Sequence, residues 1–505
     1  MRIGELLIAQ GSVTDEDVQR ASERQVREGG RLGENLVAIG ALTEEELSEF
    51  LHAAPPEPKT LKDTGISEGT IHSLLLKMML LRKLETPAQL CKALKLPYSV
   101  VESQLEELKN NNLAEILGSQ GSGVGGQFRY SLTSAGRQMA KEAHERNKYV
   151  GPAPVSLEAF CRRVNLQQIT NETVDRERID EAFSDLVVPE DLLAEIGPAV
   201  NSGRSMLLFG SPGNGKSSLA ERMGKMFKKA IYIPHCIEIE GEIIKVYDPS
   251  LHQPIEVKSQ EENSILIERS IEREDLDLRW VPVRRPVVIT GGELTLEMLD
   301  LQFNAISGFY EAPLHFKAIN GIMMIDDFGR QIVPPDHLLN RWIVPLEKRV
   351  DFLKLHTGKS FEIPFDALVV FSTNLTPSDL MDPAFLRRIP YKVEIKNPSL
   401  EDYCRIFQAV ADNAGIELTE EMLQQVVGFM KEIGKNIANY QPKFICDQIV
   451  ASCRYEGIPV EAGRERVARA LKNLDARSTE TSEPTLARVG TGTKADRSQA
   501  NGMAH

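Results

Sequence analysis

A segment that can bind phosphate lies between residues 206 and 227. Apolar residues 206–209 precede the pattern G-x-x-x-x-G-K-S, and a run compatible with a helix follows it. Glycines let successive backbone N–H groups point at one anion, and the helix N-terminus adds partial positive charge. Strand, glycine loop and helix together predict a phosphate-binding loop. Its expected contact residues are Gly210, Ser211, Pro212, Gly213, Asn214, Gly215, Lys216, Ser217 and Ser218.

Lys216 and Ser217 have separate expected tasks within this loop. The Lys216 ammonium can reach the outer phosphates of a nucleotide, and the Ser217 hydroxyl can hold a magnesium ion. An ordinary glycine-rich turn is the alternative. The flanking strand and helix argue against it, so the sequence predicts ATP with Mg²⁺ as the ligands.

Two carboxylates follow a second apolar run. Residues 321–325 form a continuous apolar strand, which suits the middle of a parallel sheet, and Asp326 and Asp327 come directly after it. Ligands of such sheets gather at the carboxyl ends of the strands. We therefore expect Asp326 to hold magnesium through water, and Asp327 to orient or deprotonate the attacking water.

A third apolar strand, residues 367–371, ends in Ser372, Thr373 and Asn374. The Asn374 amide could hold the attacking water or sense the γ-phosphate. The segment D-P-A-F-L-R-R-I follows at residues 382–389 and contains Arg387 and Arg388. An arginine supplied to a neighbouring site can stabilise charge on a transferring phosphoryl group.

These motifs in this order resemble an AAA+ ATPase. The resemblance implies that Asn374 is sensor 1, and that Arg388 or Arg387 is the finger completing a neighbouring subunit's site. It also implies a helical lid in residues 399–474, with Lys443 where sensor 2 stands. The family favours Arg at that position and Glu in place of Asp327. The shorter Asp327 side chain favours slow water activation.

Composition bounds the rest of the chain. The 505 residues predict three or four domains, and the net charge of −14 argues against wholesale nucleic-acid binding. No apolar run approaches the roughly 18 residues that span a bilayer, and the start does not fit a signal peptide, so a cytoplasmic protein is expected. The six cysteines show no C-x-x-C pair, so buried free thiols are expected rather than a disulfide framework or a metal site.

The first fifty residues contain a repeat in which Arg2 to Glu5 matches Arg31 to Glu34. Each copy is expected to form a short helix, a glycine stop and a Thr-capped helix with acids in its first turn. The repeat resembles the N-terminal MshEN-type domain of type II secretion and type IV pilus assembly ATPases, which implies cyclic di-GMP binding. A plain helical docking module is the alternative. The implied ligand residues are Arg2, Gly4, Leu7, Arg31, Gly33 and Leu36.

Residues 67–147 show helix, helix, turn, helix and hairpin in the order of a winged helix-turn-helix, which the segment resembles. Its third helix carries three carboxylates, Glu102, Glu106 and Glu107, and one basic residue, Lys109. These carboxylates would repel the phosphate backbone of DNA. Protein docking is therefore favoured over DNA binding.

The predicted fold is multidomain α/β, with an AAA+ P-loop core and a helical lid. We expect an ordered insertion between Lys216 and Asp326, including a hairpin with its turn near Gly241, and leave open what Arg284 and Arg285 contact. A hairpin in residues 350–363 resembles the branch that includes the MoxR-like chaperones. The predicted domains are 1–53 (repeat), 54–66 (linker), 67–147 (winged helix), 148–180 (linker), 181–396 (ATPase core), 397–475 (lid) and 476–505 (disordered tail).

The sequence thus predicts a Mg²⁺-dependent ATPase, hexameric when nucleotide is bound, that remodels an unidentified protein client, with a link to secretion or pilus assembly from the repeat alone. Two alternatives stay open. One is a DNA-binding, ATP-dependent regulator acting through the winged helix. The other is a switch that binds ATP and hydrolyses it slowly.

Overall fold

A computed structural model describes residues 4, 7–8, 11–44, 46–47, 54–120, 127–255, 276–380, 382–434 and 436–474. The chain divides into two compact units, residues 1–397 and residues 398–505, called here the first and second unit. The predicted tail 476–505 and the middle of the predicted insertion, 256–275, lie outside the described residues.

Within the described residues, the strands in chain order are β1 (Ala114–Gln120), β2 (Gln127–Leu132), β3 (Val155–Ser156), β4 (Met206–Phe209), β5 (Ile231–Pro234), β6 (Cys236–Ile239), β7 (Glu242–Lys245), β8 (Trp280–Val283), β9 (Val287–Thr290), β10 (Gln302–Asn304), β11 (Phe309–Glu311), β12 (Ile322–Ile325), β13 (Val350–Lys354), β14 (Ser360–Pro364), β15 (Leu368–Thr373) and β16 (Tyr391–Glu394).

The described α-helices are α1 (Asp15–Glu28), α2 (Leu32–Ala38), α3 (Leu61–Thr64), α4 (Glu68–Arg82), α5 (Pro87–Leu94), α6 (Tyr98–Asn110), α7 (Ser134–Arg146), α8 (Leu157–Leu166), α9 (Arg176–Ala182), α10 (Glu190–Ser202), α11 (Lys216–Lys225), α12 (Leu314–Lys317), α13 (Pro335–Lys348), α14 (Pro377–Leu380), α15 (Pro383–Leu386), α16 (Leu400–Ala414), α17 (Glu420–Glu432), α18 (Tyr440–Glu456) and α19 (Arg464–Leu474). Among these helices, none has both the length and the apolar character needed to cross a bilayer.

The first unit is built on a five-stranded parallel sheet, called here the core sheet, with the strand order β16-β4-β15-β12-β9. Its central strands are apolar at successive positions because both faces are covered. Alternate residues face opposite sides: Leu208 and Met324 pack with α10 and α11, whereas Leu207 and Met323 pack with α13. The mixed α/β fold with a parallel sheet agrees with the sequence prediction.

A second, mixed sheet, called here the second sheet, has the strand order β10-β11-β7-β6-β3. The antiparallel pair β6–β7 turns at Glu240 and Gly241, which confirms the hairpin predicted there. The predicted hairpin in residues 350–363 is also present, as β13 paired with β14. The described parts of the predicted insertion are therefore ordered.

Residues 67–147, called here the helical module, contain α4, α5 and α6, then the β1–β2 hairpin, then α7. Ser67 caps α4 through Thr70 N–H, and Thr86 caps α5 through Gln89 N–H, so the helix starts follow from local side chains. The apolar faces of the three helices meet in one buried cluster with Tyr130 of β2.

In the N-terminal repeat, Thr14 forms a reciprocal capping box with Asp17 at the start of α1, and Thr43 does the same with Glu46. These contacts confirm the predicted Thr caps with acids in the first helical turn. Hydrogen bonds from the Thr14 hydroxyl and N–H hold the pKa of Asp17 below its usual range, at about 2.

Residues 148–180, which the sequence predicts to be a linker, are instead part of the packed first unit. Strand β3 joins the second sheet, and Phe160 and Val164 of α8 are buried. Glu172, almost fully buried, accepts hydrogen bonds from the N–H groups of Lys228 and Lys229 and pairs with the buried Arg285. Arg285 is therefore a structural residue, whereas its neighbour Arg284 is exposed.

The second unit, as described, consists of the helices α16–α19. Apolar residues at helical spacing bury its interior, among them Phe407, Val426, Ile445 and Val467. Ser399 caps α16 and Thr419 caps α17, so polar residues mark both helix starts.

The buried pair Glu172–Arg285 gives a stability prediction. Glu172→Gln keeps the side-chain shape but leaves the Arg285 cation buried without its counter-charge, which should cost about 3–5 kcal/mol. Scanning calorimetry should show a clearly lower unfolding midpoint. The control is Asp180→Asn, which breaks the exposed pair with Arg176 and should cost about 0–1 kcal/mol. Equal midpoints for the two variants would contradict the structural role of Glu172.

Candidate functional site

The phosphate loop, residues 210–217, connects β4 to α11 and depends on glycine at two points. Gly210 has a φ of +137°, and a Cβ there would lie 2.2 Å from the carbonyl oxygen of Ile395, next to β16. Gly215 is the N-cap of α11, with φ of +83°, and no side chain caps the helix. The free N–H groups at this helix start are a ready site for an anion.

Lys216, the first residue of α11, is almost fully buried in this loop. Its Nζ donates to the carbonyl oxygens of Gly210 and Ser211, at 3.0 and 3.1 Å, and to Asn374 Oδ1 at 2.6 Å. Burial lowers the pKa of Lys216, while the carboxylates of Asp326 and Asp327 oppose that shift. The sequence predicted the cation, and the structure adds its contact with Asn374.

Ser217 and Asp326 are directly joined across the site, with Ser217 Oγ donating to Asp326 Oδ2 at 2.5 Å. A hydroxyl and a carboxylate are hard oxygen donors of the kind that Mg²⁺ takes from proteins. The donor set therefore fits the magnesium ion that the sequence predicted, with the remaining positions left to water and phosphate oxygens.

Asp327 occupies a left-handed backbone position, with φ of +48°, which is uncommon for a residue other than glycine. Its N–H donates to Asp326 Oδ1 at 2.9 Å, and its own carboxylate accepts from Asn374 Nδ2 at 3.1 Å. Asn374 thus bridges Lys216 and Asp327. Backbone conformations of this kind are often found at functional sites.

The core sheet brings these residues together. In register, Ile325 of β12 lies opposite Phe371 of β15, and Thr373 of β15 lies opposite Phe209 of β4. The residues that follow each strand therefore emerge at the same edge of the sheet. The turn after β12 is fixed to β15 by two hydrogen bonds, in which Phe328 N–H donates to Ser372 O at 2.6 Å and Thr373 Oγ1 donates to Phe328 O at 2.8 Å.

Two positioning residues were missed by sequence reasoning. Gln331 donates to the carbonyl oxygens of Asp326 and Asp327, at 3.1 and 3.3 Å, and accepts from Gly329 N–H. The backbone carbonyl oxygen of Thr290, at the carboxyl end of β9, accepts from the Asp326 N–H at 2.7 Å. The rule applied to the other strand ends could have found Thr290, but no sequence signal marks Gln331.

The other predicted loop residues differ in their burial. Asn214 is buried, and its amide donates to Asn397 Oδ1 at 2.9 Å. Ser211, Pro212 and Gly213 are exposed, as is Ser218 in the first turn of α11, whereas Ser217 is half-buried. The loop face that would meet a phosphate is therefore open to solvent.

Arg387 and Arg388 follow α15, on the way to β16. Arg387 is exposed, and Arg388 Nε donates to Glu347 Oε1 at 2.6 Å in an ion pair at the surface. The carbonyl oxygen of Arg388 accepts from Ser205 Oγ at 3.0 Å. Ser205 immediately precedes β4, so this segment lies at the amino end of a strand whose carboxyl end carries the phosphate loop.

Lys443 belongs to the second unit, where it is exposed on α18. The neighbouring Gln441 is buried and bonds the start of its own helix, with Oε1 accepting from Ala438 N–H and Nε2 donating to Asn436 O. Lys443 as a nucleotide contact stays a prediction.

The predicted cyclic di-GMP residues divide by burial. Leu7 and Leu36 are buried at 1% and 0% exposure, so they are core residues and do not form an exposed ligand surface as expected. Gly4 and Gly33 are also buried, and Arg31 is exposed. Arg2 lies outside the described residues.

Comparisons with known proteins give two sequence similarities. Residues 399–473 match the family model described as "Domain of unknown function (DUF8689)". A putative 26S proteasome regulatory subunit homolog from Methanothermobacter thermautotrophicus is 24% identical over 196 residues, which are 35% of this chain and 47% of that protein. The chain thus matches about half the length of this curated relative.

Solved structures give weaker likenesses. The RuvB Holliday junction branch migration motor of Thermotoga maritima is 12% identical, with a TM-score of 0.32, over 61% of this chain and 74% of that chain. NtrX from Brucella abortus is 13% identical, with a TM-score of 0.35, over 62% and 60%. At these TM-scores the likenesses carry no functional inference.

The close approach at Gly210 gives a prediction. Gly210→Ala places a methyl group against the Ile395 carbonyl, and such overpacking typically costs about 1–3 kcal/mol. Gly241→Ala is the control, because it shares a positive φ, +84°, but has no atom within 4 Å of the added carbon. We expect a lower thermal midpoint for Gly210→Ala than for Gly241→Ala. The reverse order would contradict the packing of the loop against β16.

Proposed function

We propose that this chain binds ATP with Mg²⁺ at the phosphate loop and hydrolyses it. The observation that carries the proposal is the meeting of Lys216, Ser217, Asp326, Asp327 and Asn374 at one edge of the core sheet. A cation, two carboxylates, a hydroxyl and an amide beside an uncapped helix start are the parts that phosphoryl transfer requires. Positioning and electrostatic stabilisation, rather than covalent chemistry, do most of the work in that reaction.

Each residue has a role that follows from its contacts. Backbone N–H groups of residues 213–217 would hold the phosphates. Lys216 would exchange its carbonyl partners, Gly210 and Ser211, for phosphate oxygens. Ser217 and Asp326 would separate to hold Mg²⁺, which when bound neutralises charge on the phosphates. Asp327, oriented by Asn374, would accept a proton from the attacking water.

We further propose that the ATPase is of the AAA+ type. The support is the motif order that resembles this family, the similarity to a proteasome regulatory subunit homolog, and a helical unit that follows the core. In this proposal the second unit is the lid, and Lys443 is its nucleotide contact. The MoxR-like branch rests on the resemblance of the β13–β14 hairpin.

The position of Arg388 favours assembly of the chain into an oligomer. The resemblance to the AAA+ family favours a hexamer. The backbone of Arg388 lies at the amino end of β4, and the four residues of that strand rise by about 13 Å towards the phosphate loop. An arginine side chain does not span that distance, so Arg388 would act on the site of a neighbouring copy. Arg387, one residue earlier, is the exposed alternative.

Protein docking, rather than DNA binding, is the proposed role of the helical module. Glu102, Glu106 and Glu107 lie along α6, and the wing residue Arg129 is already paired with Glu85. That pairing neutralises much of the positive charge that the β1–β2 hairpin, the wing of this fold, could present to the phosphate backbone of DNA. The client would be remodelled by ATP hydrolysis, and the link to secretion or pilus assembly rests on the N-terminal repeat alone.

Cyclic di-GMP binding by the repeat stays a prediction that now rests on Arg2 and Arg31. A slow ATP-dependent switch is the second candidate function, because the short Asp327 side chain is held by Asn374 in a left-handed backbone position. Its signature would be turnover per chain that does not rise with protein concentration.

Lys216→Ala should weaken ATP binding in the presence of Mg²⁺ by about 10–100-fold or more, since charge-assisted hydrogen bonds contribute about 1.5–3 kcal/mol each. Isothermal titration calorimetry measures the affinity. Lys225→Ala, in the last turn of the same helix, is the matched control and should bind as the unaltered chain does. If Lys216→Ala kept the ATP affinity of the unaltered chain, the proposed nucleotide site would be wrong.

Arg388→Ala should leave ATP binding intact and lower turnover by a factor of about 10³–10⁵. Glu347→Gln is the control, because it breaks the same ion pair but keeps the arginine. Phosphate release, measured over a range of protein concentrations, should rise per chain for the unaltered protein. Equal, small effects of the two variants would make Arg388 a surface ion-pair residue and move the finger to Arg387.

A further inference from the structure

A cluster of two carboxylates and an imidazole lies in the helical module, away from the phosphate loop. Glu68 and His72 are one turn apart on α4, and Glu107 projects from α6. One potential ligand atom from each residue lies within 4.8 Å of the other two. The cluster therefore bridges two helices that are separate in sequence.

The imidazole in this cluster is buried, and the protein does not fully satisfy it. His72 is 8% exposed, and its Nε2 has no hydrogen-bond partner among the described residues. Its Nδ1 is 3.8 Å from Glu68 Oε1, which is too long for a hydrogen bond. Buried polar atoms without partners are rare and cost about 1–3 kcal/mol, so the unmet groups point to a missing ligand.

Gln104 is a second buried polar group beside the cluster. It is 4% exposed, its Nε2 is 3.4 Å from Glu107 Oε2, and its Oε1 has no partner among the described residues. Half a turn of the amide would exchange its oxygen and nitrogen, placing Oε1 towards the carboxylate of Glu107. A cation between the two oxygens would stabilise that arrangement.

We propose that Glu68, His72 and Glu107 bind a divalent transition-metal ion, Zn²⁺, with Gln104 Oε1 or water in the fourth position. Mixed imidazole and carboxylate ligands suit zinc, whereas Mg²⁺ and Ca²⁺ prefer oxygen ligands alone. Ligands about 2.0–2.1 Å from a tetrahedral ion are about 3.3 Å from one another. Ligand atoms that lie within 4.8 Å of one another must therefore approach by up to about 1.5 Å, which side-chain rotation can supply.

The ion would cross-link α4 to α6. Its positive charge would compensate the negative charges of Glu68 and Glu107, and the ion would give Gln104 Oε1 a partner. The role is structural, because the site is built from two helix faces within one packed module. It is independent of ATP binding at the phosphate loop.

The test uses the 505-residue chain without an affinity tag. The chain is stripped of metal with a chelator and held in millimolar Mg²⁺ to occupy the phosphate site. Zinc is titrated by calorimetry against a competing chelator. We expect a zinc site whose affinity falls at least tenfold in Glu107→Gln and in Glu68→Gln. Glu106→Gln, an exposed carboxylate on the same helix, is the control and should bind as the unaltered chain does.

Circular dichroism without zinc checks that each variant folds. If Glu107→Gln does not fold, Glu68→Gln is the test variant, because its side chain is half-exposed. Cobalt gives a second readout, since a tetrahedral Co²⁺ site absorbs strongly in the visible range, and this band should be lost in Glu68→Gln. No zinc binding by the unaltered chain, or equal affinity in Glu107→Gln and Glu106→Gln, would overturn the proposal.

Discussion

The alignment of three parallel strand ends is the constraint on which the site depends. Residues after β4, β12 and β15 carry the phosphate loop, the two carboxylates and Asn374, and they meet only because the strands are in register. A shift of one residue in β12 would turn the Asp326 side chain to the other face of the sheet. The buried apolar residues on both faces of the core sheet hold that register. Correct packing of the core is therefore also what places the side chains of the site together.

The polar and charged groups of the site bond one another. Lys216 bonds two loop carbonyls and Asn374, Ser217 bonds Asp326, and Asn374 bonds Asp327. An almost fully buried ammonium requires such partners, because burial without them is costly. In the proposed function, nucleotide binding would be an exchange of partners rather than the filling of a charged gap. Asn374, which contacts both Lys216 and Asp327, would carry that exchange to the carboxylate of Asp327.

The sequence predicted what local rules determine. The glycine loop, the acids after an apolar strand, the Thr caps and the two hairpins depend on neighbours in the chain, and the structure has them. It did not predict contacts that depend on distant partners. Glu172 looks like one acid among many until Arg285, 113 residues later, is packed against it. Leu7 and Leu36 likewise look like ligand contacts until the surrounding core is known.

Such distant contacts also decide how the helical module is attached. The predicted linker 54–66 is not a free tether, because Arg279, buried and paired with Asp277, donates to the carbonyl oxygens of Thr64 and Pro154. The hydroxyls of Ser67 and Thr70, at the start of α4, donate to Glu238 of the second sheet. Breaking these contacts would leave buried charges unmet. The helical module is therefore joined to the second sheet by direct side-chain contacts, so a partner of the kind proposed for this module would act on that sheet directly.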